Sequence, residues 1–176
     1  MGKLIVNVGG MFSGKTTALM QQGERHILAK NKVIYVKPEM DNRYSEDFIV
    51  THKGQKVQAV AMPTSGLSTD LFKYEVILID EVQFFDVQIV KEIEYLLELG
   101  KTVIVSGLDM DFKGEGFEVT MQLMAKADTV NKYKAVCEKC GEDATFSHRK
   151  GDSQEKVVLG EKDTYIPLCR KCFYNI

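Results

Sequence analysis

Apolar residues fall in short unbroken runs separated by polar stretches. Leu4-Ile5-Val6-Asn7-Val8 leads into Gly9-Gly10 and predicts a buried strand. From Gly14 the spacing turns helical, with Leu19, Gly23 and Ile27 at four-residue steps, and the helix is expected to end about Asn31. Val33-Ile34-Tyr35-Val36 predicts a second strand, closed by Pro38. The polar stretch from Glu39 to Lys56 predicts a long loop, Val57 to Ala61 a third strand, and Thr64 to Lys73 a short helix. Val76-Ile77-Leu78-Ile79 is the strongest strand signal and ends in Asp80-Glu81. Asp86 is placed to cap a helix running to Leu99, with Ile89, Val90, Ile93, Leu96 and Leu97 on one stripe and Gly100 as the stop. Thr102 to Ser106 predicts the next strand.

Strands that alternate with helices, and are apolar throughout rather than at every second residue, predict an α/β fold. Its parallel sheet is covered by helices on both faces. Near Ala135 the pattern changes to cysteine pairs around a polar, strand-prone stretch. A boundary is therefore expected near Asn131, giving residues 1–131 as an α/β domain and 132–176 as a small second one.

Composition narrows the function classes. The chain has 176 residues, 44% apolar and 27% charged, which suits one main domain with a small appendage. Its net charge is −2. Up to Ala125 there are 13 basic and 17 acidic residues, and from Lys126 onward 10 and 8. That balance offers no broad basic face, so no nucleic-acid partner is expected. No apolar run is long enough to span a membrane, and the first residues carry no export signal. Gly2 follows Met1, but Val6 rather than Ser or Thr argues against myristoylation. The expected compartment is the cytoplasm, where four cysteines point to metal rather than disulfides.

Gly9-Gly10-Met11-Phe12-Ser13-Gly14-Lys15-Thr16 fits G-x-x-x-x-G-K-[ST], between a strand and a helix where a phosphate loop must sit. Glycines let backbone N–H groups turn inward around phosphate oxygens, and the helix N-terminus adds partial positive charge. Lys15 would reach the β- and γ-phosphates of a bound nucleotide, and Thr16 would ligate Mg²⁺. Asp80, at the carboxyl edge of the best strand, fits the metal-holding role, and Glu81 is placed to take the nucleophile's proton. Here water and a hydroxyl acceptor look alike. Cys137-x-x-Cys140 and Cys169-x-x-Cys172, with residues 141–168 between the pairs, supply four thiolates for a tetrahedral Zn²⁺. A closed four-cysteine site leaves no position for substrate, so this zinc is structural.

In order, Phe12-Ser13-Gly14-Lys15-Thr16, Asp41-Asn42-Arg43-Tyr44, Asp80-Glu81-Val82-Gln83-Phe84-Phe85, Gly107-Leu108-Asp109-Met110-Asp111-Phe112 and the cysteine set resemble the type II thymidine kinases over essentially the whole chain. The resemblance implies a RecA-like phosphate-loop domain and a small zinc-bearing domain whose long loop, the lasso, covers the nucleoside. It implies transfer of the γ-phosphoryl group of ATP to the 5′-hydroxyl of thymidine, a step of deoxynucleoside salvage for DNA synthesis. It also implies a homotetramer and feedback inhibition by dTTP. Glu81 takes the family's general-base role, with Asp41 and Arg43 near the transferring phosphate and Gln83 among the ATP- and Mg²⁺-binding residues. The thymine pocket maps onto Met11, Phe84, Leu108, Phe112, Phe117, Ser147 and Tyr165, with lasso backbone groups near Ser147 and Val158 on the polar edge of the base. Three positions depart from the family pattern. Ser147 stands where Thr is common, Gly160-Glu161 replaces a Gly-Gly pair, and Lys156 occupies a usually apolar place.

Other readings fit less. A nucleoside monophosphate kinase would need an arginine-rich lid, and the chain has only Arg25, Arg43, Arg149 and Arg170. An ATPase module with a nucleic-acid-binding zinc ribbon predicts a basic ribbon, against a pI of about 6.0. Without the resemblance, Phe84, Phe85, Phe112 and Phe117 read as core. His26, His52 and His148 lack metal spacing, and Glu92, Glu94 and Glu98 read as a solvated helix face.

Overall fold

The computed structural model describes residues 1–40, 47–51, 53–151 and 164–176. Its backbone is a six-stranded sheet built from β1 (Lys3–Gly9), β2 (Val33–Pro38), β5 (Val60–Met62), β6 (Val76–Ile79), β7 (Thr102–Gly107) and β8 (Thr129–Tyr133). The spatial order is β5-β2-β6-β7-β1-β8, and every pairing is parallel. All four residues of β6 are buried, as a strand covered on both faces requires.

Side chains alternate to two apolar layers. On one face Ile5, Leu78 and Ile104 meet Leu19 of α1 (Lys15–Leu28). On the other, Leu4, Val6, Ile77, Ile79, Val103 and Val105 meet α2 (Ile89–Glu98) and α3 (Glu118–Lys126) through Ile89, Ile93, Leu96 and Leu123. Ten of these side chains are fully buried leucines and isoleucines. At about 1.5–3 kcal/mol each, they are the main stabilising term of the domain.

Both the parallel sheet and its two-sided cover agree with expectation; some local readings do not. Of the stripe read for α1, Leu19 and Gly23 are buried but Ile27 is 54% exposed. The 14-residue helix rises about 21 Å, whereas four-residue β6 spans about 13 Å, so the last helical turn has no sheet beneath it. Gly23 is required by contact: a Cβ there would lie 2.0 Å from the Tyr35 hydroxyl, which donates to the Met20 carbonyl at 3.2 Å. The polar stretch read as a loop contains β3 (Phe48–Val50), paired antiparallel with β4 (Lys56–Gln58). The single strand read over Val57–Ala61 is thus two, with Ala59 between β4 and β5. Residues Thr69–Lys73 form one short 3₁₀ turn, capped by the Ser68 hydroxyl. Asp86 does not cap α2. The helix begins at Ile89 behind Gln88, whose amide instead donates to the Ser65 carbonyl.

Helix α3 and strand β8, which pairs with β1 along Ile5–Gly9, likewise had no counterpart in the pattern. The main sheet therefore continues through Asn131 to Tyr133. After it come β9 (Ala135–Val136) and β10 (Asp143–Ala144), an antiparallel pair, and then β11 (Phe146–Arg149) and β12 (Tyr165–Leu168), a second antiparallel pair. A short helix, α4 (Arg170–Phe173), follows. No described helix is long and apolar enough to cross a membrane.

Candidate active site

The phosphate loop joins β1 to α1 at the carboxyl edge of the sheet. Gly9 is required there, because its φ is 153° and a Cβ would lie 2.4 Å from the Tyr133 carbonyl oxygen. Phe12 adopts φ 64°, a conformation L-residues occupy at a cost of about 1–3 kcal/mol and mostly at functional sites. The α1 N-terminus has Gly14 at its cap, no side-chain cap and no acid in its first turn. Its leading amides are thus uncapped by the helix's own side chains, the arrangement that suits a phosphate. Lys15, 7% exposed, donates from Nζ to the Gly10 carbonyl at 3.2 Å, and the Ser13 hydroxyl donates to the same oxygen at 2.7 Å. The ammonium is thereby held over the loop that a polyphosphate would occupy.

Asp80 follows β6 and is 4% exposed. Its Oδ1 and Oδ2 lie 3.4 and 3.2 Å from Thr16 Oγ1, which places a carboxylate and a hydroxyl at one point between the strand end and the phosphate loop. This hard-oxygen pair fits Mg²⁺, which takes few protein ligands and keeps the rest as water and phosphate. Glu81 is half-buried with φ 51°, like Phe12 a left-handed non-glycine residue at this edge of the sheet. Buried Gln83 ties it down: Nε2 donates to Glu81 Oε2 at 2.5 Å while Oε1 accepts from the Leu108 amide at 3.0 Å. Gln83 therefore joins the carboxylate to the loop after β7.

That loop is itself braced. Asp111 Oδ1 accepts from the amides of Lys113 and Glu115, Met110 bridges Gly116, and the Phe117 amide donates to the Asp109 carbonyl at 3.0 Å. Buried Asp109 pairs with Lys132 of β8 at 2.9 Å, across the end of β1. The C-terminal ribbon closes the far side. Buried Ser147 accepts from the Met11 amide at 2.9 Å, and Arg149 of β11 donates from Nε to the Tyr165 hydroxyl at 3.0 Å. Met11, Phe117, Ser147 and Tyr165 are buried, while Phe84, Leu108 and Phe112 are half-buried. The described residues among those read from the sequence as an ATP and nucleoside site thus lie on four segments that converge at one sheet edge. Asp41, Arg43, Val158, Lys156 and Gly160-Glu161 lie outside the described residues, as does His52; of the three departures only Ser147 is described. His26 meets the Asn31 amide at 3.0 Å, and His148 lies on β11.

The four cysteine Sγ atoms lie within 4.8 Å of one another, and Cys140 and Cys169 are 3.6 Å apart. A tetrahedron with Zn–S of about 2.3 Å has edges of about 3.8 Å, so the set fits Zn²⁺. Burial pushes the Cys137 thiol up, but amide donors at Cys169, Cys140 and Lys139 outweigh it and bring it down to about 6. The Cys172 thiol is pushed up to about 12, first by its bond with Cys140 and then by burial and the other thiols. One thiolate is thus favoured and a second opposed, as expected of thiols packed this closely. Phe12 of the phosphate loop packs on this cluster with Ala135, Ala144 and Leu168.

Sequence reasoning missed the bridging place of Gln83, the Asp109–Lys132 pair and the burial of Arg149. Only Gln83 carried a signal, in its fixed distance from Asp80-Glu81.

The thymidine kinase family model matches residues 2–173. A thymidine kinase of Pseudothermotoga lettingae is 41% identical over 99% of this chain and 96% of its own length. One of Bacteroides thetaiotaomicron is 43% identical over 98% and 87%, and one of Thermococcus kodakarensis 41% over 97% and 93%. A match of this extent, on a chain whose phosphate loop, strand-end acids and four-cysteine cluster come together as described, places it in the thymidine kinase family.

Proposed function

We propose that this chain transfers the γ-phosphoryl group of ATP to the 5′-hydroxyl of thymidine, giving dTMP and ADP. The observation that carries the reading is the placement of Asp80 against Thr16 with Glu81 next in the chain and held by Gln83. Loop amides and Lys15 bind the β- and γ-phosphates. Thr16 and Asp80 would hold Mg²⁺, which neutralises charge shared by those phosphates. Glu81 accepts the proton of the attacking hydroxyl, a contribution of about 10²–10⁴ in rate. Asp41 and Arg43 act beside the transferring group, and Arg43 offsets its negative charge.

The base lies among Met11, Phe84, Leu108, Phe112, Phe117, Ser147 and Tyr165, with Val158 and its neighbours on the polar edge. Flat apolar groups suit a methylated pyrimidine, and a dry pocket keeps water from replacing the hydroxyl as acceptor. We assign the sheet domain, which runs through Tyr133 and so two residues past the boundary expected at Asn131, to nucleotide binding, and the segment after it to a lobe held by structural Zn²⁺ that covers the nucleoside. A cytoplasmic homotetramer inhibited by dTTP completes the reading.

The test is phosphate transfer from ATP and Mg²⁺ to a panel of free nucleosides, with water-only and polynucleotide controls. Rapid formation of thymidine 5′-monophosphate, with other nucleosides slow, is expected. Phosphate released to water on adding polynucleotide, with no nucleoside phosphorylated, would support an ATPase module instead.

A further inference from the structure

Arg149 is 4% exposed, an unusual burial for an arginine. It lies on β11 directly opposite Tyr165 of β12. Its Nε donates to the Tyr165 hydroxyl at 3.0 Å, and its guanidinium carbon sits 3.9 Å from the centre of the Phe112 ring and 5.3 Å from that of Tyr165. One side chain thus touches two aromatic residues that come from different parts of the fold. Phe112 belongs to the loop after β7, braced through Asp111, and Tyr165 to the C-terminal ribbon. Neither Arg149 nor its role was among the expected site residues.

The chemistry of the group explains why it is an arginine. A guanidinium is flat and delocalised, so one face can stack on a ring while an in-plane N–H donates sideways. A lysine ammonium could approach the Phe112 ring or the Tyr165 hydroxyl, but not in this combined geometry. Out of water, both contacts are stronger than at the surface.

We propose that Arg149 is the positioning residue of the nucleoside pocket: it fixes Phe112 and Tyr165 relative to each other and so sets the spacing of the walls that receive the base. The inference rests on the assignment of Phe112 and Tyr165 to that pocket. It places the effect of Arg149 on nucleoside binding and away from phosphate transfer. The phosphate loop, Asp80 and Glu81 are held by other contacts.

The experiment compares wild type, Arg149→Lys and Tyr165→Phe by steady-state kinetics with thymidine and with ATP varied separately. Zinc content and thermal unfolding are measured on each protein. For Arg149→Lys the thymidine KM is expected to rise about 10–100-fold, the scale of losing one of the two, a desolvated cation–π contact or a charge-assisted hydrogen bond, since a lysine can keep only the other. The ATP KM and kcat should stay within about threefold, a split that a general loss of folding would not give. Tyr165→Phe keeps the ring and removes the hydroxyl. It should raise the thymidine KM severalfold, and adding Arg149→Lys to it should raise KM by less than the product of the two single effects. A thymidine KM within twofold of wild type in Arg149→Lys would overturn the proposal. So would parallel losses in kcat, ATP KM and melting temperature, which mark a purely structural residue. Failure of the wild type itself to phosphorylate thymidine would instead overturn the functional reading on which the proposal stands.

Discussion

Replacing Gln83 probes the geometry of the acid it holds. Its amide makes two bonds in a buried place: donation to Glu81 Oε2 at 2.5 Å and acceptance from the Leu108 amide at 3.0 Å. Gln83→Leu removes both. The bond to a charged partner is worth about 1.5–3 kcal/mol, and the stranded Leu108 amide costs about 1–3 kcal/mol more. If only the first part is felt in the transition state, kcat falls about 10- to 150-fold. Gln83→Glu is the sharper variant. It keeps an acceptor for Leu108 but sets a second carboxylate against Glu81 at hydrogen-bonding distance. Two such carboxylates share a proton, so the second of the pair's two ionisation steps is driven to higher pH. On the proposed base role the active form has Glu81 unprotonated, so the acid limb of the kcat profile should move upward by a unit or more. Activity lost near neutrality should then return as pH rises. The assay is kcat from pH 5 to 9 at saturating ATP and thymidine. An unshifted acid limb with kcat within twofold of wild type would refute the reasoning that Gln83 orients a working base.

Two further perturbations follow from the C-terminal lobe. Chelating zinc should loosen the lobe first, and because Phe12 packs on the cysteine cluster it should also weaken ATP binding; hydrogen exchange and nucleotide titration of the chelated protein check this, and unchanged ATP affinity would contradict it. His148 is held below its ordinary pKa, first by burial and then by Lys139. The folded state therefore binds fewer protons than the unfolded one between the lowered value and about 6.5, and stability should rise with pH across that window. His148→Gln should remove that slope in urea midpoints measured from pH 5 to 7, and an identical slope in the variant would count against it.

Much of the site was legible because its chemistry depends on local order. The phosphate loop needs its glycines, lysine and threonine in sequence, and each cysteine pair needs its two-residue gap. Such patterns survive without knowledge of the fold. The apolar run over Val76–Ile79 likewise needed only its own composition. What escaped depends on contacts between distant segments. β8 reads as polar because it is an edge strand, and only its pairing with β1 makes it part of the sheet. α3 exposes Met121 at 50% and buries only Val119, Thr120 and Leu123, so its stripe is narrow. β3 lies in a polar stretch and is held by its partner β4. Arg149 gives no sign in sequence of being buried, because its place is set by the antiparallel register with Tyr165 and by a loop tens of residues earlier. Phe12 and Glu81 carry left-handed backbone that their residue types do not suggest. Both fall where the sequence had already placed function, as strain does when a site over-determines its backbone.

The central claim is that the acids at the end of β6 divide the work, Asp80 serving the phosphates and Glu81 the hydroxyl. The most direct measurement is a single-turnover transfer from γ-labelled ATP to thymidine by wild type and Glu81→Gln, with ATP binding measured on both. Equal ATP affinity and a transfer rate about 10²–10⁴-fold lower in the variant are expected from loss of a general base alone. A variant that transfers phosphate at the wild-type rate would remove Glu81 from the chemistry and contradict the division of roles.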